Sequence, residues 1–258
     1  MNDILTFLNS HASVRRFTDR RITEEDERSI ITTAQRSPTS ANLQAYSIIS
    51  VRDRQKKQKL AHFCGDQGHV AQSSLFLVFC ADLYRLSLLN KERGYPFHGE
   101  YTEMFIVATV DATLAAGRAL MAAQALGMGG VMVGGVRNKI EEVGALLRLP
   151  ELVYPVMGMS LGYPQSLPKV KPRLPLEAIY FKERYSSEGF KNSIATYDET
   201  IERVGYQKGR EITPDKYPNF TDRYSWSEHS ARRMAGAELD SLRAHMMPFL
   251  QKQGFLKK

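Results

Sequence analysis

The chain is poor in cysteine and tryptophan, with two of the first and one of the second in 258 residues. Cys64 and Cys80 cannot build the disulfide framework of a secreted scaffold, and they lack the Cys-x-x-Cys spacing of redox or zinc sites. No HExxH occurs. His62, Cys64 and His69 lie close in sequence without paired metal-ligand spacing, so they read as ordinary surface or core residues and no metal is expected. A Walker A is missing. Gly127-Met128-Gly129-Gly130 lacks the G-x-G-x-x-G of a dinucleotide-binding turn, which leaves these glycines as a helix stop. No Ser-His-Asp triad can be read from the scattered serines and histidines. The start, MNDILTFLNSHASVRRF, has no basic segment followed by an apolar run, so it is not expected to be a signal peptide.

What is present describes an ordinary globular protein. The hydrophobic fraction is 43 % and the aromatic fraction 10 %, which excludes global disorder. The length suits one large domain or two small ones. The formal charge is +7, and 203–258 holds eleven Lys/Arg against six Asp/Glu, so +5 of it falls there. The longest apolar stretch, Phe105 to Leu126, carries Asp111 and Arg118 near its middle. Each charge costs about 2.5–3.5 kcal/mol at a bilayer centre, so the stretch reads as a core helix. No membrane association is expected, and the location expected is cytoplasmic.

Helical patterns alternate with buried strands, which gives an α/β or α+β class. Asp3 to Asn9 is a short amphipathic helix. Thr23 caps another, with Glu24, Glu25 and Asp26 in its first turn. Tyr46 to Val51 is β-rich, and Gln55 to Phe63 helical. Leu75 to Ala81 is a continuous apolar run, as for a strand covered on both faces. A long helix, about Glu103 to Leu126, is apolar nearly all round and must be buried in a core or a subunit interface. Val131 to Val133 and Tyr154 to Gly162 are strands, with a helix over Asn138 to Leu147 between them. Prolines at 164, 168, 172 and 175 mark an extended segment. Beyond it come helical patterns over Asn192 to Arg203 and Ser227 to Phe249, around a polar loop from Gly205 to Tyr224.

Three features could carry chemistry. In His11-Ala12-Ser13-Val14-Arg15, residues 11, 13 and 15 alternate and share one side of an extended segment. His, Ser and Arg together suit an oxyanion, though the block alone is also what a solvated basic turn looks like. In Lys171-Pro172-Arg173 two cations alternate around a stiffening proline, as a phosphate site or a surface charge cluster would have them. Pro38-Thr39-Ser40-Ala41-Asn42-Leu43-Gln44 is a hydroxyl- and amide-rich loop and, alone, only a turn.

In order and spacing these segments resemble the nitroreductase superfamily of FMN enzymes, and within it the oxygen-insensitive NADPH nitroreductase and NADPH-flavin oxidoreductase group. The family's H-R-S-[IV]-R-x-F-T stands here as His11 to Thr18, and P-S-[SA]-x-N-x-Q as Pro38 to Gln44. Further matches are Gln67-Gly68-His69-Val70, Phe76 to Asp82, Gly134-Gly135-Val136-Arg137-Asn138, Lys171 to Pro175 and Trp226 to His229. The resemblance runs from about residue 4 to 255.

The resemblance implies an α+β fold: three α/β/α layers, a mixed, mainly antiparallel central sheet flanked by helices, and a helical C-terminal arm. It implies an FMN-binding core over 1–185 and a helical extension or dimerisation arm over 186–258. FMN would be held by His11 and Ser13 at its phosphate end, with Lys171 and Arg173 closing on it. Arg15 would reach the pyrimidine edge and stabilise reduced flavin, Thr39 and Ser40 would line the isoalloxazine, and Gln67 would bond its polar edge. Val133, Gly134 and Gly135 would bring backbone N–H groups near N5 and O4. No side chain need act as nucleophile or base, because the flavin carries the chemistry. The implied reaction is ping-pong hydride transfer from NADPH, or NADH, through flavin N5 to nitroaromatics, quinones or free flavin. The alternative is a flavin-binding protein with weak or different redox activity. Relatives are homodimers with two interface sites. Their 2′-phosphate-binding region corresponds to the Gly205–Tyr224 loop, where Lys208 and Arg210 are the nearest NADPH candidates. Ala12 replaces the family's usual Arg, so one phosphate-side cation is missing. Tyr217, Phe220, Tyr224 and Trp226 accompany the basic arm, but no nucleic-acid module is recognisable, and no nucleic acid is expected as a partner.

Overall fold

The computed structural model describes residues 2–205, 225–235 and 242–258. Lys208, Arg210, Tyr217, Phe220 and Tyr224 lie outside the described residues. The chain forms two compact units, Met1–Lys169 with Arg243–Lys258, and Val170–Leu242. The sequence suggested instead a break between 185 and 186, with everything after it in the arm.

The first unit is built on four strands, β1 (Tyr46–Val51), β2 (Leu75–Asp82), β3 (Gly129–Val133) and β4 (Val153–Gly162), in the order β1-β2-β4-β3. All three pairings among the described residues are antiparallel, with none of the parallel kind that a mixed sheet allows. Every residue of β2 is buried, as its unbroken apolar run requires of a central strand covered on both faces. One face carries α2 (Glu24–Ala34) and α6 (Thr102–Ala125), which share a core with Leu75, Leu77 and Phe79. The other carries α3 (Arg54–Phe63), α4 (Gly68–Gln72) and α7 (Ile140–Leu147), packed around Phe76, Val78 and Cys80. Successive β2 side chains thus feed opposite cores, and the unit has three α/β/α layers.

Local signals set the helix ends. Thr23 Oγ1 accepts from Asp26 N at 3.0 Å and caps α2. At the end of α6, Gly127 takes φ +76°. Its N–H donates to Gln124 O at 2.9 Å, while Met128 N donates to Ala123 O at 3.0 Å. This is a glycine-terminated Schellman end, and only glycine enters it without a Cβ penalty. Gly129 and Gly130, read with Gly127 as part of the stop, instead begin β3.

α6 is long and apolar enough to cross a bilayer, yet nine of its residues, Asp111 included, are buried against the unit. Its outer face is not covered. Ile106, Val110, Leu114 and Met121 form an exposed apolar stripe. α5 (Tyr84–Arg93) escapes sequence detection because none of its residues is buried and no apolar period marks it.

Among the described residues, the helix read over Ser227 to Phe249 is interrupted at 243–245, and it includes α9 (Trp226–Met234) and α10 (Met246–Lys252). α10 belongs to the first unit because Phe249, Leu250 and Phe255 are buried in its core. Phe255 meets Tyr154 edge-on at 5.1 Å. Full burial of one such ring contributes about 1.5–3 kcal/mol, which explains why the chain's last residues return to the sheet. Lys257 N and Lys258 N both donate to Glu100 O.

In the second unit, α8 (Phe190–Arg203) packs on α9. Tyr197 meets Trp226 edge-on at 5.3 Å, and Asp198 accepts from both Ser227 N and Ser227 Oγ.

Candidate functional site

The His11–Arg15 strip is pinned at its centre. Val14 N donates to Gly130 O at 3.0 Å, and Val14 is 2 % exposed. A Cβ on Gly129 would stand 2.4 Å from Val14 Cγ2, so the strip lies against β3 only because that position is glycine. With Val14 turned in, Ser13 and Arg15 turn away from the core, as alternation requires.

Each end of the strip has its own support. Gln124 Nε2, on the last turn of α6, donates to His11 Nδ1 at 3.1 Å. With Nδ1 accepting, the ring's donor is Nε2, the tautomer an anion needs. At the other end Arg15 lies near His69, whose Nδ1 hydrogen-bonds Ser160 Oγ at 3.1 Å. Burial, and secondarily the Arg15 charge, hold His69 below its ordinary pKa and favour a neutral ring.

Ser160 overturns the reading that the chain has no G-x-S-x-G. Gly158-Met159-Ser160-Leu161-Gly162 spells G-x-S-x-G, the pattern of a hydrolase nucleophile elbow. Here the serine sits inside β4, opposite Val131, fully buried and with no strand-to-helix turn. The Ser160–His69 pair therefore orients His69 and exposes no nucleophile.

A second cluster forms where β3 ends. Val133 is buried, and Gly134–Arg137 make a 3-10 turn. Gln67, at the start of α4, donates from Nε2 to Cys64 O at 2.8 Å. A Cβ on Gly135 would stand 2.5 Å from Cys64 O and 2.8 Å from Gln67 Nε2. Gln67 and the Gly134–Gly135 turn are thus brought together with no room for a side chain between them. Arg137 donates to Val156 O behind the turn, and burial lowers its pKa. Burial also pushes the Cys64 thiol up to about 12, so it stays protonated.

The Pro38–Gln44 loop is held elsewhere. Ser40 N donates to Asp111 Oδ1 at 3.1 Å and Ala45 N to Asp111 Oδ2 at 3.0 Å. Asp111 is 1 % exposed. Thr39 and Ser40 line a cleft of about 360 Å³ with Ile106, Val110, Asp111 and Leu114. The sequence reading noted Asp111 only as a charge inside an apolar helix. Its partners are backbone amides 71 and 66 residues away, which no motif records. Asp111 and Gln124 are 13 residues apart on one helix, roughly 20 Å at 1.5 Å per residue. Within one chain, the structure therefore does not bring Thr39 and Ser40 to His11.

In the second unit, Arg173 Nη1 donates back to Lys171 O and Pro172 O, at 3.3 and 3.4 Å. Tyr197 Oη fixes the same segment by donating to Pro172 O at 3.0 Å.

The nitroreductase family model matches residues 8–163, and the model of that family's C-terminal domain matches 171–258. The chain belongs to the nitroreductase family. The FMN reductase (NADPH) of Bacillus subtilis (strain 168) is 40 % identical over 205 residues, 78 % of this chain and 82 % of that one. The NADPH-flavin oxidoreductase of Vibrio harveyi is 33 % identical over 258 residues, the full length of both. The solved structure of the NfrA1 nitroreductase from B. subtilis superposes with a TM-score of 0.88 at 36 % identity, covering all of each chain. Members of the nitroreductase family at this similarity share the α+β fold described above.

Proposed function

We propose that this protein is an FMN-dependent NAD(P)H oxidoreductase that reduces nitroaromatics, quinones or free flavin. The observation that carries the reading is the anchored His11–Arg15 strip together with the side-chain-free turn at Gly134–Gly135. The strip supplies a ring N–H, a hydroxyl and a guanidinium on one side of an extended segment. The turn offers backbone where a Cβ could not stand. These donors fit a planar, phosphate-bearing cofactor.

FMN bound there would supply the chemistry of hydride transfer between NADPH or NADH and a second substrate. His11 and Ser13 hold the phosphate, with Lys171 and Arg173 as further cations. Arg15 keeps a fixed positive charge at the pyrimidine edge, where reduction places negative charge. Gln67 bonds the polar edge, and the backbone of Val133, Gly134 and Gly135 approaches the reactive edge. Thr39 and Ser40 line the ring. Lys208 and Arg210 remain the proposed NADPH contacts.

The functional unit in this reading is a homodimer. The exposed stripe Ile106, Val110, Leu114 and Met121 is what a second copy would cover. Such pairing would bring the Ser40 loop of one copy to the His11 strip of the other, whose supports on α6 stand roughly 20 Å apart within a chain. The location proposed is cytoplasmic.

The test is direct. The apoprotein is titrated with FMN, and NADPH consumption is followed with and without a nitroaromatic acceptor. Saturable FMN binding with acceptor-dependent oxidation supports the reading, and failure to bind added FMN sinks it. Binding without turnover would favour the alternative, a flavin-binding protein of different redox activity.

A further inference from the structure

The loop that carries Thr39 and Ser40 is held against its own backbone preferences. Ala41, Asn42 and Gln44 have φ of 48°, 56° and 52°, all left-handed. None is glycine, and each such residue costs energy that its surroundings must offset. The bonds within the loop are few: Leu43 N to Ser40 O, a long Asn42 N to Thr39 O, a long Gln44 Nε2 to Asn42 O, and Tyr46 N to Gln44 O. What closes it is a single buried carboxylate. Asp111 gives one oxygen to the N–H just before the left-handed run and the other to the N–H just after it. α6 adds two outer ties, Ser37 Oγ to Leu114 O and Arg118 Nη1 to Arg36 O.

We propose that Asp111 is a positioning residue for cofactor binding: its two oxygens clamp Ser40 N and Ala45 N and set the angle at which Thr39 and Ser40 present to the flavin ring. This rests on the proposal that those two residues line FMN. A carboxylate suits the task because it accepts at both oxygens and donates at neither. An asparagine of the same shape presents an NH2 to one of the two backbone N–H groups, so one anchor becomes a donor facing a donor. The clamp is therefore sensitive to one atom, while the packing of α6 on the sheet is not.

Asp111→Asn tests this in the full-length protein. Three quantities are read: amide exchange of the peptide covering 36–46, the dissociation constant for FMN, and the visible circular dichroism of the bound flavin. The proposal expects faster exchange confined to that peptide, FMN binding weakened about tenfold, the loss of one charge-assisted hydrogen bond, and an altered flavin dichroism. Unchanged FMN affinity and dichroism, with or without faster exchange, would overturn it. Should Asp111→Asn not fold, Ser40→Pro is compared with Ser40→Ala. Proline removes the clamped N–H at the first position of a 3-10 turn, where its φ is tolerated, and the preceding Thr39 is already extended. Alanine removes only the hydroxyl. Weaker FMN binding in Ser40→Pro than in Ser40→Ala supports the clamp, and equal binding contradicts it. The wild-type protein separates this from the wider reading, because if it binds no FMN the function fails first.

Discussion

Gln124 and His11 meet at 3.1 Å, and the helix that makes this contact also holds Ser40 through Asp111. One buried helix thus supports both the strip proposed for the phosphate end and the loop proposed for the ring. The two supports are 13 residues apart, and the exposed apolar stripe of the same helix runs from Ile106, before the first, to Met121, near the second.

If that stripe is the dimer face, Val110→Lys disrupts it. A charge placed in a desolvated apolar interface costs more than association returns. Sedimentation is expected to show a monomer, with FMN affinity falling at the same time. A dimer of unchanged stability would remove α6 from the interface.

Lys171→Ala with Arg173→Ala removes both cations of the rigid strip. Each charge-assisted bond to a phosphate is worth about 1.5–3 kcal/mol, so losing two is expected to weaken FMN binding at least about 100-fold. Riboflavin, which has no phosphate, should bind the variant and the wild type alike. Equal losses for both ligands would place the strip elsewhere than at the phosphate.

Gly135→Ala is expected to do double damage. The new Cβ would stand 2.5 Å from Cys64 O and 2.8 Å from Gln67 Nε2. Overpacking of this kind costs about 1–3 kcal/mol, visible as a lower melting temperature. Displacing Gln67 should also weaken FMN. Gly144→Ala, inside α7 with nothing within 4 Å, is the control: alanine in a helix interior adds about 0.5–1 kcal/mol, so melting should not fall and FMN affinity should not change.

His69 predicts a pH dependence. Burial, and secondarily the Arg15 charge, lower its folded pKa below the ordinary histidine value of about 6.5. Below 6.5 the unfolded chain binds this proton and the folded chain resists it, so stability present above 6.5 is lost as pH falls through the folded value. Thermal melts of His69→Gln, which can still bond Ser160, should lose part of this acid slope. A slope identical to wild type would mean that His69 does not contribute.

Much of the fold was legible where residues declare their surroundings locally. The apolar run from Leu75 predicted a doubly covered strand because both its faces are buried. Thr23 and Gly127 announced helix ends through their own chemistry. α5 was missed because it buries nothing, and β3 was read short because Gly129 and Gly130 look like a stop until Val14 is seen against them. The same limit hid Asp111 and the partner of Ser160, although the serine's own G-x-S-x-G is plain in the sequence. A motif lists side chains, whereas Asp111 serves two distant backbone amides and Ser160 a histidine on another element. The exposed side of α6 was equally hidden, since its composition is apolar on every face.

In the function proposed, electrons pass from NADPH to a flavin held by this chain. Anaerobic titration of the FMN-loaded protein with NADPH tests it most directly. The account predicts that the visible flavin band bleaches in proportion to added NADPH, within a turnover time, and returns when a nitroaromatic or quinone is admitted. A flavin band that stays unbleached by NADPH and by NADH would contradict it.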